Sequence, residues 1–215
     1  MAYRYAQLFL ESLHEEREVD PRYEVQRDLV TAAVVGNVDA VIALLDRPRE
    51  NLLGIDHSMV VGSGLPINAL FAAARDGHID IVQTLVEAGA DPNWKQGSSG
   101  ASPLHIAAAT NNAEVCAYLV AQGADPEAED EIGTRPLDRA TANACAAATE
   151  ALLACGAIST PDRRILPRLF TNRTARTATM AVLDAHDAKA VGAYFGVMCN
   201  LAWESQDEGA ASDQA

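Results

Sequence analysis

Aromatic side chains make up only 5% of this 215-residue sequence. That is too few to furnish the large inward-facing layers of a sheet sandwich, so closely stacked helices suit the composition better. Basic residues are scarce as well: 16 Lys and Arg stand against 30 Asp and Glu, a formal net charge of −14. A chain this acidic lacks the basic footprint that a sequence-independent hold on DNA or RNA needs. No stretch approaches the ~20 apolar residues of a membrane span. Met1-Ala2-Tyr3-Arg4-Tyr5 leads into Glu11, Glu15 and Glu16 without an apolar run fit for export, so a cytoplasmic location is expected. The four cysteines, Cys116, Cys145, Cys155 and Cys199, show no C-x-x-C spacing. The first three fall where helices are predicted and read as small structural hydrophobes of a reducing compartment.

Alanine and repetition are what the chain has in quantity. Asn68-Ala69-Leu70-Phe71-Ala72-Ala73-Ala74 is answered thirty-four positions on by Ser102-Pro103-Leu104-His105-Ile106-Ala107-Ala108, and thirty-three further by Arg135-Pro136-Leu137-Asp138-Arg139-Ala140. Each copy is followed by an apolar helical stretch that ends in a Gly-Ala pair, at Gly89-Ala90, Gly123-Ala124 and Gly156-Ala157. Self-similarity at this period is the mark of a solenoid, whose units cannot bury their apolar faces alone. The Ser-Pro-Leu-His-x-Ala-Ala core at 102–108 and the Ala-Gly-Ala-Asp-Pro-Asn ending at 88–93 resemble the ankyrin repeat. The resemblance implies an all-α solenoid of about four helix-pair repeats with short hairpin-like fingers. Leu70, Leu104 and Leu137 then plug the core at the first turn of each inner helix. Pro103 and Pro136 sit at helix starts, where the missing N–H is no loss. Gly89, Gly123 and Gly156 end the outer helices in the left-handed conformation.

In chain order, residues 1–20 carry an apolar stripe of Ala6, Phe9, Leu10 and Leu13 and form a helix that either caps the stack or meets a partner. Asp20-Pro21 starts a helix, and the repeats occupy 21–158, at about 21–46, 66–91, 100–125 and 133–158. The first is degenerate, keeping Leu29, Ala32, Ala33 and Gly36 but lacking the Thr-Pro-Leu-His signature. Residues 46–65 form an enlarged, flexible inter-repeat loop. Its Gly62-Ser63-Gly64 lacks the third glycine and the Lys-Ser/Thr pair of a phosphate cradle. Asn93 and the glycines of 97–100 are expected to supply positive φ at a finger tip. The fourth repeat has Ala144 where glycine is expected. Residues 159–203 form a helical C-terminal cap containing Arg163, Arg164, Arg168, Arg173 and Arg176, and 204–215 an acidic disordered tail.

No catalytic constellation emerges. His186 shares a helical face with neither Asp184 nor Asp187, and His14 with Glu18 makes only two ligands. There is no G-x-S-x-G elbow or zinc signature, and no catalytic residue, metal or cofactor is expected. In the ankyrin pattern His105 takes a hydrogen-bonding position between neighbouring loops. Carried over residue by residue, that pattern places partner contacts at Arg75, Asp76, Thr110 and Asn143 on the inner helices. On the fingers it places them at Ser98, Ser99, Ala101, Glu131, Ile132 and Thr134. Trp94 either joins them or packs on the neighbouring finger. Glu127, Glu129, Asp130 and Glu131 would steer a basic partner inward. The expected function is a non-catalytic module that binds one protein with a basic contact surface, in the manner of an inhibitor, an adaptor or a toxin-neutralising immunity protein. Direct nucleic-acid or membrane contact is not expected, and a monomer or heteromeric complex is favoured over a homo-oligomer. The alternatives are a self-associating scaffold, or an anionic-ligand-binding or enzymatic protein whose ligand site is formed by 46–65 and the arginine-rich 163–176.

Overall fold

The computed structural model describes residues 20–48, 52–60, 65–158 and 177–188. The expected N-terminal helix, the arginine-rich stretch 163–176, the tail 204–215 and Gly62-Ser63-Gly64 lie outside these. The chain divides into two compact units, the first within Met1–Ala73 and His78–Asp91, the second within Ala74–Gly77 and Pro92–Ala215.

In the first unit, helix α1 spans Pro21–Val35. Asp20 caps it by accepting the Arg22 amide at 3.0 Å, and Pro21 occupies the first turn, where no donor is needed. Gly36 ends α1 at φ 80°. Helix α2 spans Val38–Leu45, capped by Asn37, whose Oδ1 accepts from the Ala40 amide at 3.0 Å. Leu29, Val30 and Ala33 of α1 and Val41 of α2 are wholly buried. Helix α3, Ala69–Asp76, begins in this unit at Asn68, which accepts the Phe71 amide at 2.8 Å, and its last residues, from Ala74, belong to the second unit. Helix α4, Ile79–Glu87, packs on α2 and buries Ile81, Val82 and Leu85.

The described part of the enlarged loop is pinned at several points, contrary to the flexible loop expected. Met59 and Ile67 exchange two backbone hydrogen bonds of 2.8 and 3.0 Å in an antiparallel bridge, the only β pairing among the described residues. Buried Gln26 donates from Nε2 to the His57 carbonyl at 3.0 Å. The Asp56 carboxylate accepts the Asp91 amide at 3.2 Å and Asn68 Nδ2 at 3.3 Å.

The second unit holds two full helix pairs. They are α5 Pro103–Ala109 with α6 Ala113–Ala121, and α7 Pro136–Ala142 with α8 Ala146–Ala154. Inner helix α5 packs on inner helix α7, and outer α6 on outer α8. Ala107, Ala108, Ala140 and Ala148 are fully buried at these contacts, where larger side chains would hold the helices apart. Leu104, Leu119 and Leu152 are equally buried, each contributing about 1.5–3 kcal/mol relative to exposure. Leu137 is buried in the second unit and Leu70 in the first, as their place in the repeat requires.

Between inner and outer helices the chain turns through positive φ at Asn111 (64°) and Ala144 (56°). Each turn also reaches back one repeat. Asn112 Nδ2 donates to the carbonyls of Ala74 and Arg75, both at 2.9 Å, and Asn143 Nδ2 donates to that of Ala109 at 3.0 Å. These bonds satisfy carbonyls that an ending helix leaves unpaired. Cys116 alone of the described cysteines lies inside a helix, and burial pushes its thiol up to about 12. Cys145 and Cys155 are the flanking caps of α8, not helix-interior positions as expected. Residues 177–188 are helical and lie beside α8, with Thr179 and Leu183 buried.

Candidate partner-binding surface

All of the expected contact residues fall within the second unit, on two fingers and on the ends of inner helices. The finger at 92–101 is closed by the Gln96 amide donating to the Ala101 carbonyl at 3.0 Å and the Gly100 amide donating to the Gln96 carbonyl at 2.7 Å. Ser99 Oγ is occupied internally, donating to Gln96 Oε1 at 2.7 Å and accepting the Ala101 amide at 3.2 Å. Of the residues expected to supply positive φ here, Gly100 does so at 63°, while Asn93 and Gly97 do not. Asn93 works through its side chain instead: Nδ2 donates to the Gly123 carbonyl and Oδ1 accepts the Asp125 amide, both at 2.9 Å.

The finger at 125–134 is organised by Asp130. Its Oδ1 accepts the amides of Ile132 (3.0 Å) and Thr134 (2.8 Å), and its Oδ2 accepts Arg139 Nε (3.2 Å) and Nη2 (2.6 Å). Burial works against this charge, but the Arg139 guanidinium and the two backbone donors outweigh it and hold the carboxyl below the usual range. Arg135 is buried too, paired with Asp138 and Glu127, and Glu127 also accepts the Ile158 amide at 2.8 Å.

The two fingers are in register. The Glu131 amide donates to the Ser99 carbonyl at 3.1 Å, and Lys95 Nζ to the Glu129 carbonyl at 3.2 Å. Glu131 also lies over Gly100, where a Cβ would stand 3.0 Å from its amide nitrogen and 3.1 Å from its Cγ, a tight approach that with φ 63° favours glycine. His105 locks the pair from below. Its Nδ1 accepts the Ser102 amide at 3.1 Å, so the proton sits on Nε2, which donates to the Thr134 carbonyl at 2.9 Å. Burial lowers the histidine's pKa, keeping the ring neutral. This is the loop-bridging role that its place in the repeat implies.

The expected contact residues therefore separate into two groups. Ala101 and Asp130 are buried, at 5% and 7% exposure, and cannot touch a partner; both are corrected to finger-building positions. The reason is the same for each: a tip can present its side chains only if others fold inward to hold its backbone. Glu127 is likewise engaged with Arg135, and the half-buried Thr134 offers its carbonyl to His105. Arg75 and Asp76 pair with each other at 2.7 Å, Thr110 Oγ1 donates to the Ile106 carbonyl at 2.9 Å, and Asn143 reaches Ala109. Trp94 is half-buried. Ser98, Glu129 and Glu131 are exposed, and Ile132, at 83%, is the most exposed large hydrophobic side chain among the described residues. Among the described residues no group of three or more His, Cys, Asp or Glu could hold a metal ion, and no helix is long and apolar enough to cross a membrane.

Paired helices joined by fingers, with the turns at Asn112 and Asn143 bonded to the preceding repeat, define a helical-repeat protein. Family comparison makes this specific: a model for ankyrin repeats, three copies long, matches residues 29–130 and 70–162, which together exceed half of the chain. The chain belongs to the ankyrin-repeat family, and these repeats make it a protein–protein interaction module. It is 38% identical over 84 residues to the BTB/POZ domain and ankyrin repeat-containing protein NBCL of Lotus japonicus, covering 37% of this chain and 17% of that protein. It is 30% identical over 111 residues to the ankyrin repeat and KH domain-containing protein mask-1 of Caenorhabditis elegans, covering 49% of this chain and 4% of the other. A 69-residue match at 39% identity joins it to the inactive serine/threonine-protein kinase TEX14 of Mus musculus, over 32% of this chain and 5% of that one. The chain thus spans less than a fifth of the length of each of these relatives.

Proposed function

We propose that this chain is a non-catalytic module that binds one protein partner through the finger tips of its second unit, and that the partner's contact surface is basic. The observation that carries the reading is Ile132, 83% exposed beside the exposed Glu131 on a tip whose backbone Asp130 holds rigid. An apolar side chain on a preorganised mount loses little freedom when it enters a pocket, so its burial counts almost fully toward affinity. Ser98 on the neighbouring finger extends the same surface. The net charge of −14 supports a basic partner, whose approach it accelerates over distances up to a Debye length.

The acidic finger supplies less free charge than its composition suggests, because Glu127 and Asp130 are paired with arginines. The exposed Glu131 at the finger tip is the carboxylate best placed to steer. An inhibitor or adaptor role, including neutralisation of a toxin or nuclease with a basic cleft, fits this arrangement. The test is capture from native lysate on immobilised full-length chain, with mass-spectrometric identification, repeated at rising salt. Ile132→Asp should abolish capture and Glu131→Lys should weaken it most at low salt. Capture that ignores both substitutions and ionic strength would sink the reading.

A further inference from the structure

The enlarged loop builds a cleft in the first unit. It is about 370 Å³ in volume and is lined by Leu45 at the end of α2, Leu52 and Ile55 of the loop, and Glu87, Ala88 and Gly89 at the end of α4. Three aliphatic side chains supply the apolar part of its lining, about half of the whole, and among its described lining residues Glu87 carries the only charge. Helix α4 ends at Glu87, so the negative pole of the helix also meets the cleft. The loop wall is held in place on both sides of Ile55. The His57 amide donates to the Gly54 carbonyl at 3.0 Å, and Asp56 fastens the loop to Asp91 just beyond Gly89. Gln26 secures the His57 carbonyl from α1.

We propose that this cleft is a second contact site that receives a lysine or arginine side chain of the protein partner. Both residues have an aliphatic stem that seeks apolar cover and a cationic head that seeks a carboxylate. The cleft offers the first along Leu45, Leu52 and Ile55, and the second at Glu87 and the helix terminus. An uncharged aliphatic chain would use the walls but leave Glu87 and the helix pole unanswered. An anionic ligand would meet a repulsive field. The biological occupant rests on the basic-partner reading above, but the site's chemistry can be tested without a partner.

The probe is a set of capped tripeptides with arginine, lysine, norleucine or glutamate at the centre, titrated at millimolar concentration into the ¹⁵N-labelled full chain. The arginine and lysine peptides should shift the amides of Gly54, Ile55, Ala88 and Gly89. Norleucine should bind about two- to fivefold more weakly, as expected for an exposed ion pair, and glutamate should leave these amides unmoved. Glu87→Gln should weaken the cationic peptides toward the norleucine level, leaving only the helix pole to answer their charge. Absence of shifts at these amides, or equal binding of norleucine and arginine, overturns the assignment. Such a result leaves capture through Ile132 intact. Failed capture, conversely, leaves peptide binding at the cleft standing, so the two readings fail separately.

Discussion

Two aspartates hold the connecting segments of the two units, and they do so in opposite electrostatic circumstances. Asp130 folds into its finger with two backbone donors on one oxygen and Arg139 on the other, and its carboxyl is held below the usual range. Asp56 holds the enlarged loop with two neutral donors, the Asp91 amide and Asn68 Nδ2, and its pKa is raised, by burial first and also by the nearby negative charge of Asp91. One segment is stabilised by its negative charge. The other is held together despite it. The lesson is that an acidic side chain in a loop of an acidic protein reveals its role only through its partners.

The largest expected effect follows from that contrast. Asp130→Asn keeps the shape but removes the charge that Arg139 and the two amides answer, and should cost about 1.5–3 kcal/mol in urea unfolding at pH 7. Asp56→Asn should stay within about 1 kcal/mol of wild type, because it relieves a burdened charge while keeping an acceptor for Asp91. Equal losses at the two positions would break the comparison. The pH dependences should also oppose each other. Asp130's contribution is complete above its unfolded value of 3.8 and is lost as pH falls through its lower folded value. Asp56 binds its proton more tightly in the folded chain. Its cost is therefore present at neutral pH and disappears as pH falls through the raised folded value toward 3.8.

Next in size is Gly36→Ala in the first unit. Gly36 stands at φ 80°, and a Cβ there would lie 2.7 Å from the ring of His78, which itself approaches the Val34 carbonyl. Backbone strain and displacement of the ring together should cost about 1–3 kcal/mol, read from the denaturation midpoint. Gly77 in the second unit is bound by the same rule through Asn112, whose Oδ1 would be 2.8 Å from an added Cβ. A midpoint unchanged in Gly36→Ala would mean that this turn can open without loss.

The helix-pair architecture was readable because it repeats: leucine plugs, alanine contacts, prolines at helix starts and closing glycines recur at one period, and each has a local physical reason. The finger interiors were less readable. Four acids in Glu127–Glu131 read as one surface charge, yet Arg135 at the cap of α7 and Arg139 four residues on within it claim Glu127 and Asp130. That arginine spacing was the available signal. Ala101 looked like a variable tip residue because sequence position alone does not say which side of a four-residue turn faces inward. For the enlarged loop no signal existed. Asp56 sits among uncharged neighbours, and its partners lie 12 and 35 residues away.

His105 offers a third way to probe the fingers. Its folded pKa lies below the unfolded value of 6.5, with burial the leading cause. The unfolded chain therefore takes up a proton first, and the contribution of His105 is complete above about 6.5 and is lost as pH falls below it. His105→Gln should cost about 1–2 kcal/mol at pH 7.5 through the lost bonds to Ser102 and Thr134. It should also flatten the fall in melting temperature between pH 7 and 5. A variant whose melting temperature declines as steeply as wild type would assign that decline to other groups.

The smallest effect is expected at the turn of the last full repeat. Ala144 occupies the same turn as Gly36 but at φ 56° with a Cβ in place, so the backbone bears the strain that glycine avoids. Left-handed alanine costs roughly 1–2 kcal/mol. Replacing it with glycine recovers that strain but gives the unfolded chain more freedom, worth about 0.4–1 kcal/mol. The net expectation for Ala144→Gly is a gain near 0.5 kcal/mol, opposite in sign to Gly36→Ala at the corresponding turn. The sign decides more than the size. A gain shows that the turn requires only the conformation, and that Gly36 and Gly77 are further constrained by the side chains that the next repeat lays against them. A loss would mean that the nearly buried Ala144 methyl contributes packing that outweighs its strain, making alanine at this turn a fitted core residue.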